Sequence, residues 1–137
     1  MSEQQNVQTV QAAYAAFKRG DIQGVLNTLT DEIEWHTPGE GLIPQGGVHH
    51  GEDAVARFFQ TVGQTMDFAS FDPQTFVAQG DNVVATGRYD GTVKTTNRHF
   101  EAEWAMVFTF KGSKVVRFQE YTDTAAIATA YAGAKAA

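Results

Sequence analysis

The chain has 137 residues, a length typical of one domain, and we expect a single domain across residues 1–137. It contains no cysteine, which excludes disulfides, thiol nucleophiles and thiolate metal sites. Its net charge of -6 argues against a nucleic-acid partner, which would need clustered Lys and Arg. No segment reaches the roughly 20 apolar residues of a membrane span, and the polar N-terminus does not resemble a signal peptide. We therefore expect a cytoplasmic protein with no membrane partner.

Helical spacing of apolar residues predicts three helices in the first half of the chain and one at the end. The first begins with a capping box at Ser2 and Gln5 and stops at Gly20. Asp21 can cap a second, short helix whose apolar face extends to Leu29. The other two predicted helices cover residues 52–66 and the Ala-rich segment after Ala125, where Asp123 or Thr124 is a natural cap.

Alternation of apolar and polar residues predicts five strands. They cover residues 33–37, 68–78, 83–94, 98–110 and 114–122. Residues 38–51 are rich in Gly and Pro and are predicted to form a loop. Helices followed by an antiparallel sheet indicate an α+β fold.

The pairing of the last two strands depends on the loop between them. A three-residue loop at residues 111–113 sets Trp104 opposite Glu120 and keeps one face of the pair apolar. A two-residue loop would set Phe108 opposite Arg117. We favour the first register, which directs Glu120 into the apolar side beside Trp104.

The preceding hairpin is predicted to turn at residues 95–97. A three-residue loop there places Arg88 opposite Trp104 and Asp90 opposite Ala102, so that both converge with the carboxylate of the last strand. A slip of one residue would send both side chains to the other face.

The order of elements resembles the nuclear transport factor 2-like superfamily, and within it the SnoaL-like and ketosteroid-isomerase-like proteins. The segments that carry the resemblance are DEIEWHTP at 31–38, GEDAVARFF at 51–59 and GSKVVRFQEYTD at 112–123. The resemblance implies a curved, mostly antiparallel sheet wrapped as a cone around the N-terminal helices, a cystatin-like α+β barrel with a pocket at its open end. It also implies a homodimer through the outer face of the sheet.

Limonene-epoxide-hydrolase-like enzymes of this superfamily use an Arg-x-Asp pair on one strand and a carboxylate on the last strand. Arg88, Asp90 and Glu120 stand at the matching places, with Glu120 replacing an Asp. The Tyr and Asn that hold water in those enzymes correspond to about Glu34 and His36. In ketosteroid-isomerase-like members a general-base Asp precedes the Pro that ends the first strand, and no Asp stands there in this chain.

Four residues are the candidate catalytic groups: Glu120, Asp90, Arg88 and His36. A carboxylate in an apolar pocket gains proton affinity and can act as acid or base near neutral pH. Arg88 would hold Asp90 ionised or bind a substrate oxygen, and His36 would serve as a base or a hydrogen-bond donor. The alternatives are a structural ion pair for the charged groups and a surface position for His36.

The candidate pocket is apolar and largely aromatic. Its predicted lining residues are Tyr14, Phe17, Trp35, Phe58, Phe59, Val62, Trp104, Met106 and Phe118. His49, His50 and His99 have no metal-ligand spacing, so we expect no metal site. The chain has no phosphate-binding Gly-rich loop, so we expect no nucleotide cofactor.

The resemblance and the candidate residues together predict an enzyme that needs no cofactor. It would carry out acid–base chemistry on a small, apolar organic molecule, as an isomerase, a cyclase such as a polyketide cyclase, a dehydratase or an epoxide hydrolase. The alternative is a non-catalytic module of the same fold that binds a small ligand or a partner.

Overall fold

A computed structural model describes residues 2–133 as four helices and a six-stranded sheet. In chain order the elements are α1 Glu3–Lys18, α2 Ile22–Leu26, β1 Leu29–Thr37, β2 Gly47–His50, α3 Glu52–Thr65, β3 Met66–Gln79, β4 Asn82–Val93, β5 Arg98–Lys111, β6 Lys114–Thr122 and α4 Thr124–Ala132. The end of the predicted Ala-rich helix, residues 134–137, lies outside the described residues. No helix in the described part of the chain is long and apolar enough to cross a membrane.

Side-chain caps start the helices where the sequence predicts them. Ser2 and Gln5 form the predicted capping box of α1, and Asp21 accepts a 2.9 Å hydrogen bond from the Gly24 N–H at the start of α2. The second helix is shorter than predicted. It ends at Leu26, and Leu29 already pairs with Val115 as the first residue of β1.

The strands form one curved, unclosed sheet in the order β2-β1-β6-β5-β4-β3, which confirms the predicted α+β class. All neighbours are antiparallel except β1 and β6, which run parallel. Strand β2 was predicted as loop, because its Gly and Pro neighbours obscure a four-residue strand. It pairs with β1 through contacts such as Trp35 opposite His49.

Two glycines of β4 let β3 approach closely where β3 shifts its register. A Cβ on Gly87 would lie 2.3 Å from the Asp72 carbonyl oxygen, and one on Gly91 would lie 2.5 Å from the Asp67 carbonyl oxygen. The pairing of β3 is irregular at Phe68–Ser70 and at Pro73–Thr75. Such bulges bend a strand and increase its twist, so they help to curve the sheet around its interior.

The β5–β6 hairpin differs from the predicted register. Its turn has two residues, with Lys111 opposite Lys114, so the predicted three-residue loop is wrong. A register shift then leaves Val116 as an extra residue of β6, and this bulge restores the apolar alternation. Glu120 lies opposite Met106 on the apolar side. The predicted face of Glu120 is therefore right, but its predicted cross-strand neighbour Trp104 is wrong.

The β4–β5 hairpin corrects the second register prediction. Val93 pairs with Arg98, so the loop has four residues rather than three. Asn97 closes this loop with a φ of 57° and donates its backbone N–H to the Val93 carbonyl at 2.8 Å. Because the register slips by one residue, Arg88 lies opposite Glu103, and the side chains of Arg88 and Asp90 point away from the apolar side.

The inner face of the sheet is covered by the helices and forms the core. Helix α1 packs against β3 and β4, while α3 packs against β1 and β2. Tyr14 of α1 contacts the rings of Phe71, Trp104 and Phe108, with centroids 5.6 to 6.0 Å away. This arrangement leaves an aromatic-walled space between the sheet and the helices.

Candidate functional site

The concave side of the sheet holds a cavity that opens to solvent. It contains about 900 Å³ free of protein atoms, counted out to its open mouth. The closed part of the cavity is narrow, with a volume of about 100 Å³. A narrow apolar cavity of this kind suits part of a flat organic molecule, with the remainder extending towards the mouth.

Eight of the nine predicted pocket residues line this cavity. They are Tyr14, Phe17, Trp35, Phe58, Phe59, Val62, Met106 and Phe118. Trp104 is buried but lies outside the wall, because Tyr14 and Phe71 cover its ring with centroid distances of 5.6 and 5.5 Å. Its prediction as a lining residue followed from the register that set it beside Glu120.

Several other residues line the cavity and were not predicted to do so. Those with polar side chains are Thr37, Gln45, Tyr89 and Thr122, and those without include Ile43, Met66, Phe68, Phe71, Phe108 and Ile127. The alternation of β4 carries a signal for Tyr89, since Ala85 and Val93 share its face. Gln45 had no such signal, because it lies in the Gly/Pro-rich segment.

Glu120 is the one carboxylate in the cavity wall among residues 2–133. Tyr89 on β4 donates a 2.8 Å hydrogen bond from its hydroxyl to Glu120 Oε2. Burial raises the pKa of Glu120 from 4.5 to about 7, and the hydrogen bond from Tyr89 opposes part of that rise. Glu120 can therefore both accept and release a proton near neutral pH.

A short chain of hydroxyl groups continues from Glu120. The Tyr89 hydroxyl also lies 2.9 Å from Thr122 Oγ1, which donates to the Glu103 carbonyl at 3.1 Å. Tyr89 has one hydroxyl proton for two acceptors. It can donate to Glu120 when that carboxyl is ionised, and to Thr122 when Glu120 carries its own proton. This chain of hydroxyl groups thus accommodates both protonation states of Glu120.

Tyr14 places a second phenol in the wall. Its hydroxyl lies 3.1 Å from Met106 Sδ, and a thioether sulfur is a weak acceptor. Burial, followed by the charge of Glu120, raises the pKa of Tyr14 well above its usual range. Tyr14 therefore stays protonated and can donate to an oxygen atom of a ligand.

Another polar group enters the wall from the segment between β1 and β2. Gln45 is 7% exposed, and its backbone carbonyl accepts hydrogen bonds of 2.8 Å from Thr37 Oγ1 and from His49 Nε2. Its side-chain oxygen accepts from the Tyr131 hydroxyl of α4 at 3.2 Å. The segment is therefore held against both the sheet and the last helix.

Arg88 and Asp90 lie on the outer face of the sheet and do not join Glu120. The Arg88 guanidinium is 3.7 Å from Glu101, and Asp90 accepts a hydrogen bond from Ser70. Asp90, His99 and Glu101 bring their ligand atoms within 4.8 Å of one another, the grouping that could hold a cation. It is largely exposed and lies across the sheet from the cavity, so it has no contact with the candidate acid.

His36 also lies outside the cavity. Its Nε2 is 3.2 Å from Glu34 Oε1, whereas its neighbours Trp35 and Thr37 take the inward positions of β1. His36 therefore does not join Glu120 in the cavity, and its side chain takes the outward position that was the alternative. The alternating side-chain directions of a strand explain this, because Trp35 fills the inward site.

Comparison with known proteins agrees with this geometry. The family model of the SnoaL-like domain matches residues 10–118, a segment that ends just before Glu120. No curated protein matches the chain.

Solved structures cover nearly the whole chain. A nuclear transport factor 2-like protein from Burkholderia xenovorans LB400 is 42% identical, with a TM-score of 0.86 over 95% of this chain and 98% of that one. One from Burkholderia thailandensis E264 is 30% identical, with a TM-score of 0.85 over 96% and 98%. TerC, co-crystallised with polyporic acid, is 27% identical, with a TM-score of 0.79 over 92% and 97%. From its matched segment and these structures, the chain belongs to the SnoaL-like domain family of nuclear transport factor 2-like proteins.

Proposed function

We propose that this protein is an enzyme that moves a proton on an apolar, carbonyl-containing organic molecule without a cofactor, as in isomerisation or cyclisation. The observation that carries the proposal is the position of Glu120, the one carboxyl that residues 2–133 place in the aromatic-walled cavity, where its pKa is about 7. A general base works best when its pKa lies near the working pH, and burial supplies that pKa here.

The reaction starts with ionised Glu120, whose charge the Tyr89 hydroxyl stabilises. Residues 2–133 form no hydrogen bond to Glu120 Oε1, which leaves this oxygen for a proton on a carbon next to a substrate carbonyl. As that proton moves to Glu120, negative charge develops on the carbonyl oxygen. Tyr14 is a protonated donor in the same wall and can stabilise that charge. Return of the proton to another carbon completes an isomerisation. In a cyclisation the carbanion attacks a second carbonyl, and the Glu120 proton passes to the alkoxide that forms.

Dehydration fits the same base, because the acid formed on Glu120 can protonate a leaving hydroxyl. Epoxide opening has less support. The Arg-x-Asp pair that it would use, Arg88 and Asp90, lies on the outer face of the sheet. The proposal therefore favours carbon-acid chemistry.

Aromatic or polycyclic molecules are the proposed substrate class. The wall contains many aromatic rings, and Trp35 and Phe118 stack with centroids 3.8 Å apart. The ligand named for TerC, polyporic acid, supports an organic ligand in the same fold and is a reasonable first compound to test.

Hydrogen–deuterium exchange into 2-tetralone in D₂O tests the proposal without knowledge of the substrate. Mass spectrometry would follow deuterium entering next to the carbonyl. We expect the wild type to catalyse this exchange and Glu120→Gln to lose about 100-fold or more of the rate. Tyr121→Phe is the matched control, because Tyr121 is the next residue of β6 and is 57% exposed on the other face.

The alternative is a non-catalytic binding module, favoured because the described residues place one acid in the wall rather than a pair. It predicts that 2-tetralone binds equally well to the wild type and to Glu120→Gln, with no exchange above that of free solution. If the wild type catalyses the exchange and Glu120→Gln keeps the same rate, then Glu120 is not the base.

Association into a homodimer through the outer sheet face is part of the proposal. Val77, Val84 and Val107 lie side by side on that face, with Val84 paired to both of the others, and Val77 is 63% exposed. An apolar row on an otherwise polar face supports an interaction surface.

A further inference from the structure

The Gln45 side chain is a buried amide whose donor group has no strong partner among residues 2–133. Its Nε2 lies 3.5 Å from Met66 Sδ, and a thioether is a weak acceptor. Gln45 and Met66 both line the cavity, and Gln45 is 7% exposed. A buried amide N–H without a good acceptor is unfavourable, because burial has removed its hydrogen bonds to water. This donor is therefore available to any acceptor that enters the cavity.

The Tyr131 hydroxyl contacts the Gln45 amide from the other side. It donates to Gln45 Oε1 at 3.2 Å and lies 2.7 Å from Thr65 Oγ1. Thr65 Oγ1 also lies 2.8 Å from the Thr61 carbonyl, but that carbonyl already accepts a backbone N–H within α3, so Thr65 can donate to Tyr131 instead. With the Tyr131 proton on Gln45 Oε1, the amide oxygen faces α4 and the NH₂ group faces Met66 in the cavity wall.

We propose that the Gln45 amide N–H is a second polar subsite, which binds a hydrogen-bond acceptor on the ligand at a point separate from Glu120. The two residues share no hydrogen-bond partner in the described part of the chain. Tyr131 is a positioning residue that acts through the Gln45 amide.

The subsite narrows the ligand class. A ligand would carry two oxygen functions on one aromatic or polycyclic frame: one that meets Glu120 and Tyr14, and a carbonyl or quinone oxygen that accepts from Gln45. This inference rests on the proposed function only in assigning the first oxygen to Glu120. The donor at Gln45 is available whether or not the protein is catalytic.

Equilibrium binding of a matched pair of compounds tests the subsite. The pair is 6-acetyl-2-naphthol and 6-ethyl-2-naphthol, which have similar size and differ in the carbonyl. Isothermal titration calorimetry on the full chain would give both affinities. We expect the wild type to bind the acetyl compound about 3- to 10-fold more tightly, the usual range for one buried hydrogen bond. Gln45→Met, which keeps the length of the side chain, is expected to reduce the preference to about twofold or less.

Three further variants make the result specific. Gln119→Met changes the same residue type on the outer face and is expected to keep the wild-type preference. Tyr131→Phe retains Gln45 but releases its amide, so we expect a partial loss, and this variant serves if Gln45→Met does not fold. Glu120→Gln is expected to keep the preference, since the subsite does not involve that carboxyl.

The inference is overturned if the wild type binds neither compound, shows no preference for the acetyl compound, or keeps its preference after Gln45→Met. Each of these results is independent of turnover. A failure of the deuterium-exchange test therefore leaves the binding preference readable, and the two proposals can fail separately.

Discussion

The Tyr89 hydroxyl donates to Glu120 Oε2 across two strand positions, at 2.8 Å, and this bond links β4 to β6 over the intervening β5. Burial and the hydrogen bond act on the Glu120 pKa in opposite directions. Burial favours the neutral acid, whereas a donor favours the carboxylate. The two effects together leave a carboxyl whose pKa is near neutrality.

Tyr89→Phe should raise the pKa of Glu120 further above about 7, because it removes the hydrogen bond that stabilises the carboxylate. A shift of about 0.5–1 unit corresponds to a hydrogen bond of ordinary strength. Carboxyl ¹³C chemical shifts measured against pH would give the midpoint. Tyr121→Phe, on the outer face, is the control. An unchanged or lower midpoint in Tyr89→Phe would rule out the assigned role of this bond.

Stability should fall with rising pH because of Glu120. Its pKa is 4.5 in the unfolded chain and about 7 in the fold, so between these values the folded state holds one proton more. The free energy of unfolding contributed by this group is therefore highest below pH 4.5 and falls as the pH rises through 7. The total loss is at most about 3 kcal/mol, since Glu120 is only partly buried and solvent screens its charge.

Urea denaturation of the wild type and Glu120→Gln at pH 5 and pH 8 would isolate this contribution. The variant lacks the titrating group, so we expect it to gain stability relative to the wild type on going from pH 5 to pH 8. The other carboxylates cancel in the difference between the two proteins. A difference that does not depend on pH would show that Glu120 titrates in the folded state as it does in the unfolded chain.

Gly87→Ala should destabilise the fold by about 1–3 kcal/mol, because the added methyl group would overlap the Asp72 carbonyl and the Trp104 ring. Gly63→Ala adds the same atoms on the exposed face of α3, where nothing lies within 4 Å. That control should gain about 0.5–1 kcal/mol from higher helix propensity. Free energies of unfolding from urea titrations would compare them. Equal effects would mean that β3 can move away from β4 at little cost.

Val107→Arg should disrupt the proposed homodimer, because it places a charge in the row of valines on the outer face. Light scattering coupled to size-exclusion chromatography would report the mass of each protein across a concentration series. Val48→Arg, at an exposed position of the edge strand β2, should leave the mass unchanged. A wild type that remains monomeric throughout would exclude the dimer.

The inward position of Glu120 could be predicted from the sequence, whereas its cross-strand neighbour, Met106, could not. Trp104, Met106 and Phe108 alternate along β5 with residues that are on average more polar. This alternation identifies the apolar face without knowledge of the loop length. The loop has two residues, and the bulge at Val116 compensates for the change. A three-residue loop and the observed two-residue turn with a bulge both direct Glu120 to the apolar face. The error in the predicted turn therefore did not change the predicted face of Glu120.

Arg88 and Asp90 were misplaced because a single loop residue decides their side of the sheet. Asn97 adopts a positive φ and lengthens the turn to four residues, which a pattern of polar residues does not specify. The alternation of β4 itself was the better guide, since Val83, Ala85, Tyr89 and Val93 form its buried set. A resemblance to an Arg-x-Asp motif favoured the wrong side.

The two tryptophans differ in their relation to the cavity. Trp35 lines the wall and stacks on Phe118, whereas Trp104 lies outside the wall. Neither indole N–H has a hydrogen-bond partner within residues 2–133. Trp104→Phe would consequently leave Trp35 as the single tryptophan, and its emission would respond to whatever displaces water from the cavity. The fold thus contains its own optical reporter of occupancy, which allows unlabelled compounds to be screened before any reaction is known.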